Sequence, residues 1–440
     1  MKKLFVSSLG VNVLLMVFNL CTGMFVARLL GPLGRGELAI ATRWSSLFTM
    51  LFTMGLPGAV IYLGKQSRPK QSEYLGMYLV LGTATGLIGL GMGEMLLPYI
   101  LRNQPHPVVH LAEISMLSVP FGILADGLVG SLQSLNKFRN VLIIQLASGV
   151  GALLVITLLV SFREFQVVDY IVGTISWSVM IFLITLTWAA KFVRPKILFH
   201  IEPVKHLLTK GIQIYAGSIV NVFGNNLDQL LISLFLSPYN MGLYAVCVSV
   251  STLLPSLVTG TIQTFLWPKL MDMKADERRQ SVARIHSGLL YSSLGITLLM
   301  GALLPFALPF VYGHQYATAI PIGEVLLTAA PMSVGYMVLV NYMSTLGQFN
   351  IVTVAEILGL GLGFCITYPL SHAWGGLGAA VGVVVAASSK WILLIVASNR
   401  TVQSSFGLFK PCLSDVIILR DAMSRKLRWM HLGRSTSGRI

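Results

Sequence analysis

Charge is what this chain has least of. Only 11% of its 440 residues are Asp, Glu, Lys or Arg, where soluble domains carry about 25%, and acids (16) are scarcer than bases (31). So thin a polar shell excludes a water-soluble domain of this length. Its four cysteines, Cys21, Cys247, Cys365 and Cys412, are dispersed, which excludes a disulfide framework or a cysteine-built metal cluster. No stretch between apolar runs is long enough for an ATPase domain. The glycine-rich segment from Gly31 to Gly36 lacks the Lys-Ser/Thr that a nucleotide loop requires. Loop positions also lack the paired carboxylates expected of a polytopic glycosyltransferase, polymerase or ligase.

What remains is apolar: 55% of residues are hydrophobic and the mean hydropathy is +0.77. Crossing a hydrocarbon core takes roughly 20 such residues. Twelve stretches qualify, at 5–29, 39–63, 74–101, 111–133, 141–162, 170–190, 211–236, 243–266, 289–312, 321–346, 354–370 and 380–400. The fold class read from them is an all-α polytopic membrane protein. Pro57, Pro120, Pro255, Pro305 and Pro331 fall inside these stretches and predict kinks or breaks. The opening Met1-Lys2-Lys3 imitates a secretory signal, but the apolar run after it is too long for one. Leu20 directly before Cys21 speaks against a lipoprotein site.

Orientation follows from the bases. With the N-terminus cytoplasmic, 25 of the 31 Lys and Arg fall on the cytoplasmic side, including the loop 191–210 and the segment from Arg400 onward. Arg28, Arg35, Arg102 and Arg163 fall outside, and Arg43 and Lys390 within spans. This asymmetry predicts that both termini are cytoplasmic, and it accounts for most of the net charge of +15. Nucleic-acid binding is set aside because no aqueous domain exists to perform it; anionic membrane lipids explain the same charges. In the tail 401–440, Leu413, Val416, Leu419, Met423, Leu427 and Met430 recur at helical spacing beside Arg425, Lys426 and Arg428, the pattern of a helix lying at the membrane surface.

The chain also repeats itself. At an offset of 206, Pro32, Gly36 and Ala39 return as Pro238, Gly242 and Ala245, while Asn12, Asn19 and Thr22 map onto Ser218, Asn225 and Asp228. Ser134-Leu135-Asn136-Lys137-Phe138 returns as Thr345-Leu346-Gly347-Gln348-Phe349 at an offset of 211. Two parallel halves of six spans each follow, a first lobe over 1–200 and a second over 201–400.

Two of these segments also resemble a known superfamily. Ala27-Arg28-Leu29-Leu30-Gly31-Pro32-Leu33-Gly34-Arg35-Gly36-Glu37-Leu38-Ala39 is similar to the junction of the first two spans in polysaccharide-biosynthesis flippases, members of the multidrug/oligosaccharidyl-lipid/polysaccharide (MOP) exporters. Leu227-Asp228 through Pro238, Gly242 and Leu243-Tyr244-Ala245 resembles the counterpart opening the second lobe, and the Phe138-Arg139 loop adds to the likeness. The resemblance implies two pseudo-symmetric, MATE-like lobes around a central cavity open alternately to either side of a bacterial inner membrane. It implies a polyprenyl-pyrophosphate-linked glycan as cargo, and a polysaccharide polymerase and glycosyltransferases as partners.

An anionic headgroup needs cations facing water rather than lipid, and Arg28, Arg43 and Lys390 are the candidates. Asn12, Asn19, Ser218, Asn221 and Asn225 offer amides and a hydroxyl to sugar hydroxyls; Tyr215, Ser218, Asn221, Asn225 and Asp228 share one helix face. Hydrogen bonding between helices is the competing use of such groups. Asp126 and Asp228 are candidates for coupling or gating, by binding H⁺ or Na⁺ or, for Asp126, by pairing with Lys390. Glu94, Glu324 and Glu356 read as interfacial, and Arg35 and Glu37 as parts of a turn. No cofactor or metal is expected. A drug antiporter would share the architecture, with acidic and aromatic cavity walls instead, and a non-transporting scaffold would leave the mid-span charges without a purpose.

Overall fold

The structure, a computed structural model, describes residues 2–162, 165–196, 201–256, 270 and 273–401. Among them all regular structure is helical: α1 Lys2–Thr53, α2 Leu56–Gln66, α3 Gln71–Ile100, α4 His106–Met116, α5 Ser118–Ser134, α6 Phe138–Ser161, α7 Val167–Phe192, α8 Ile201–Phe235, α9 Pro238–Ser251, α10 Ala275–Tyr312, α11 Ile320–Thr345, α12 Phe349–Trp374 and α13 Gly376–Thr401, with short 3₁₀ turns at Arg68–Lys70 and His314–Ala319. Nine helical stretches among the described residues are long and apolar enough to cross a membrane. Apolar surroundings dictate this economy, because an unpaired backbone amide in hydrocarbon costs several kcal/mol and a helix pairs every one internally. Many hydroxyls pair within their own helix: Thr42, Thr49, Ser148 and Thr185 each donate to the carbonyl four residues back.

The chain forms two compact units. One comprises Met1–Ser249, Pro305–Ile322 and Phe364–Ala380, the other Val250–Leu304, Gly323–Gly363 and Val381–Ile440. In the first, α3 turns Gly82, Gly86, Gly89 and Gly93 inward. A methyl at Gly86 would stand 2.8 Å from Pro120 Cα, so the small face lets α5 approach to backbone distance. Large apolar side chains such as Met95, Leu298, Phe306 and Phe310 point outward, as lipid-facing side chains do.

Two breaks in the helices stand just before prolines. Pro57 and Pro120 sit in the first turns of α2 and α5, where a proline is tolerated because the leading amides have no helical acceptor. The interruption at Met54 (φ 47) and Gly55 (φ 67) is the one that precedes Pro57, which has no amide to bond Thr53 O and whose ring crowds that carbonyl. The packing of α8 adds the need for glycine: a methyl at Gly55 would overlap Gly211 O and lie 2.9 Å from Tyr215 N. The Gly-rich segment read as a turn is helical instead. Only Gly31 (φ 67, ψ −178) leaves helical geometry, Pro32 follows it, and Arg35 and Glu37 lie in the helix that restarts there. The basic loop before the seventh apolar stretch is likewise helical from Ile201, because Leu207 is buried among Leu56, Ala59, Val60 and Leu63 of α2.

The internal repeat acquires a physical meaning. Gly36 and Gly242 face each other, a methyl on Gly36 lying 2.8 Å from Gly242 N and one on Gly242 lying 3.0 Å from Gly36 N. Each would also overlap the other segment's proline carbonyl, Pro238 O and Pro32 O respectively. The offset-211 loops end their helices identically. Lys137 N bonds Leu132 O and Asn136 N bonds Gln133 O (2.9 and 3.0 Å), while Gln348 N bonds Met343 O and Gly347 N bonds Ser344 O (3.0 and 3.2 Å). Asn136 (φ 60) and Gly347 (φ 72) supply the left-handed residue that this C-terminal motif requires. Of the tail 401–440 read as a surface helix, all but Thr401 lies outside the described residues, as do Cys412 and Arg163.

Candidate functional site

The most strongly built polar site lies in the second unit, where α11, α12 and α13 meet. Lys390 Nζ of α13 is 2.7 Å from Glu356 Oε2 of α12, and the two side chains are only 12% and 7% exposed. The other carboxylate oxygen accepts a 2.6 Å hydrogen bond from Tyr336 of α11. Gly359, one turn beyond Glu356, makes the slot for the lysine stem, since a methyl there would overlap Lys390 Cγ. Beside it, the Trp391 indole donates to His286 Nε2 at 3.1 Å. Gly335 permits this contact, because its methyl would stand 2.5 Å from Trp391 Nε1. Leu339, Ala355 and Leu394 bury the surroundings.

An isolated ammonium at mid-membrane costs about 2.5–3.5 kcal/mol on insertion scales. Here the carboxylate neutralises it and the tyrosine occupies the remaining oxygen. The arrangement holds a cation ready without leaving it bare, and an incoming anion would have to compete with Glu356 for it. By sequence alone Glu356 reads as interfacial. The residue is buried, because α12 begins at Phe349 and places it two turns inside the helix. Lys390, matched on paper with Asp126, has its partner on the neighbouring helix of its own unit.

The remaining predicted residues are separate. Arg28 is spoken for: its Nε donates to Val311 O at 2.8 Å and its Nη2 to Phe310 O, capping the last carbonyls of α10, where a cation also opposes the negative end of the helix dipole. Arg28→Gln is therefore expected to lower stability by about 1 kcal/mol, read as a shift in thermal unfolding; unchanged unfolding would show that the cap contributes nothing. Arg43 is half-buried and interacts with a neighbouring group. Asn19 is exposed on the first arm of α1, and Asp126 is exposed on α5. The side chains of Asn12, Ser218, Asn221, Asn225 and Asp228 lie outside the described residues. Arg35 is half-buried and lies within electrostatic reach of Tyr170, Tyr312 and Tyr316.

This fold is shared with solved structures of membrane transporters. It is similar to a lipid II flippase, MurJ, in an inward closed conformation (TM-score 0.75, 14% identity, 90% of this chain and 87% of that one). It is also similar to a multidrug resistance MATE family transporter of the MOP superfamily in an inward-facing conformation (TM-score 0.70, 12% identity, 89% and 95%), and to a MOP superfamily transporter from Pyrococcus furiosus (TM-score 0.59, 12% identity, 92% and 95%). Compared by sequence with curated proteins, the chain matches none. Residues 25–321 match the polysaccharide biosynthesis protein family, and the chain belongs to it.

Proposed function

We propose that this protein flips a polyprenyl-pyrophosphate-linked oligosaccharide from the cytoplasmic to the periplasmic leaflet of a bacterial inner membrane, for surface polysaccharide synthesis. The observation that carries the reading is the match to the polysaccharide biosynthesis family over 25–321, on a fold shared with a lipid II flippase. The mechanism we infer is alternating access by two six-helix lobes, 1–200 and 201–400, twelve spans in all with both termini and the tail 401–440 cytoplasmic. The repeat at offset 206 and the positive-inside asymmetry support it.

In this reading Lys390 and Arg43, with Arg28 at the rim, attract the diphosphate, and Asn12, Asn19, Ser218, Asn221 and Asn225 meet the sugars. Asp126 and Asp228 serve coupling by H⁺ or Na⁺. The prenyl tail stays in lipid while the headgroup crosses. An outward membrane potential favours the anion, at about 2.3 kcal/mol per charge per 100 mV. Glycosyltransferases supply the substrate and a polymerase consumes the product.

Inverted membrane vesicles carrying radiolabelled lipid-linked glycan, with a membrane-impermeant glycosidase inside the lumen, test this. Cleavage is expected to depend on the protein. Equal cleavage with and without it, together with protein-dependent uptake of cationic dyes, would instead establish the drug-antiporter reading that the MATE likeness keeps open.

A further inference from the structure

We propose that the first unit carries a lipid site: a groove at the basic ends of α2 and α8 that holds one anionic phospholipid of the surrounding leaflet. This site is independent of the cargo proposed above. The groove is open along one side, measures about 510 Å³ and is lined by Gly58, Ile61, Tyr62, Lys65 and Gln66 of α2.

Its geometry begins with glycine. The left-handed Gly55 and the bare Gly211 bring α2 and α8 to backbone contact, and one turn on, a methyl at Gly58 would lie 3.2 Å from Ile214. Leu207 and its neighbours Val204 and Leu208 fasten the first turns of α8 to α2 and α3, which fixes Lys210 in place. The Lys210 ammonium stands 5.5 Å from the centroid of the Tyr62 ring and donates to Gln213 Oε1 at 3.1 Å. Lys65, in the last turn of α2, is exposed, as are Arg68 and Lys70 in the 3₁₀ turn that follows. The nearby acids Glu73 and Glu202 form no ion pair with these bases among the described residues.

The occupant follows from the chemistry of the walls. Gly58, Ile61 and Ile214 offer an apolar bed, Tyr62 an amphipathic ring, and Lys65 and Lys210 a pair of ammonium groups at one end. A soluble anion would leave the apolar bed unused. A neutral lipid would leave the ammonium groups unmatched. A molecule with an acyl chain and an anionic headgroup satisfies both, and each basic residue near such a headgroup contributes roughly 1 kcal/mol.

Native mass spectrometry of the detergent-purified chain, titrated with phosphatidylglycerol or phosphatidylcholine, tests the site. The wild-type protein is expected to hold one phosphatidylglycerol at least about tenfold more tightly than phosphatidylcholine. Lys65→Gln/Lys210→Gln should lose that preference, Lys65→Arg/Lys210→Arg should keep it, and the charge-matched control Lys191→Gln/Lys274→Gln should leave it unchanged. Monodisperse elution of each variant shows that it is folded; if the glutamine pair elutes aggregated, Tyr62→Ala takes its place, with the same loss expected. Equal retention by wild type and the glutamine pair would overturn the proposal, as would equal loss in the control. Displacement of the lipid by glycerol phosphate at matched concentration would overturn it too, because the site would then read phosphate alone.

Discussion

Replacing Lys390 by Met is expected to be among the most damaging single changes in the second unit. It strands Glu356 as a buried carboxylate with only the Tyr336 hydroxyl beside it, and breaking a buried pair in this way costs about 3–5 kcal/mol. Total stabilities are commonly about 5–15 kcal/mol, so the thermal unfolding midpoint in detergent should fall steeply. Glu356→Gln should do nearly as much harm, since it leaves the ammonium without a counter-charge. The double variant Lys390→Met/Glu356→Gln should recover much of the loss, because no ion is left unpaired. A Lys390→Met protein as stable as the native one would show that the pair is not held. Once the double variant is folded, vesicle transport separates two roles: retained flipping makes the pair structural, and lost flipping makes Lys390 a group the headgroup must meet.

The second large effect belongs to Gly36. An alanine methyl there enters the space of Pro238 O and comes within 2.8 Å of Gly242 N. Overpacking of a tight interior typically costs about 1–3 kcal/mol. Here the obstructing atoms are backbone, so no side-chain rotation relieves them, and the cost belongs at the upper end. Gly36→Ala and Gly242→Ala should each reduce folded protein in the membrane and lower the unfolding midpoint. Their combination should do less than the sum, because the first change already forces the helices apart. Gly91→Ala is the control, with nothing within 4 Å of its added methyl, and should be neutral. A native-like Gly36→Ala would contradict the crossing described here.

Helices were the most legible part of the chain, because hydrocarbon leaves the backbone no other arrangement and the apolar runs announce it. Two of the breaks, before Pro57 and before Pro120, were legible for a similar reason. What was not legible is why the break before Pro57 needs glycine at position 55: a methyl there would overlap the carbonyl of Gly211, about 156 residues away. Lys390 stood out as a charge inside an apolar run, but its partner did not. Reading the eleventh stretch from 354 rather than 349 moved Glu356 to the membrane edge on paper, and Tyr336 carries no charge to draw attention. Arg28 shows a different limit. Its charge beside the outer rim was legible, but the helix end it closes, 283 residues further along, was not, because sequence spacing carries no trace of such long-range capping.

The mutual seat of Gly36 and Gly242 bears on which substitutions the two segments could accept. A clash between side chains can be cured by shrinking the partner, but here the partner on either side is main chain, which mutation cannot trim. A larger residue at either glycine therefore has to be met by a shift of the whole segment opposite it.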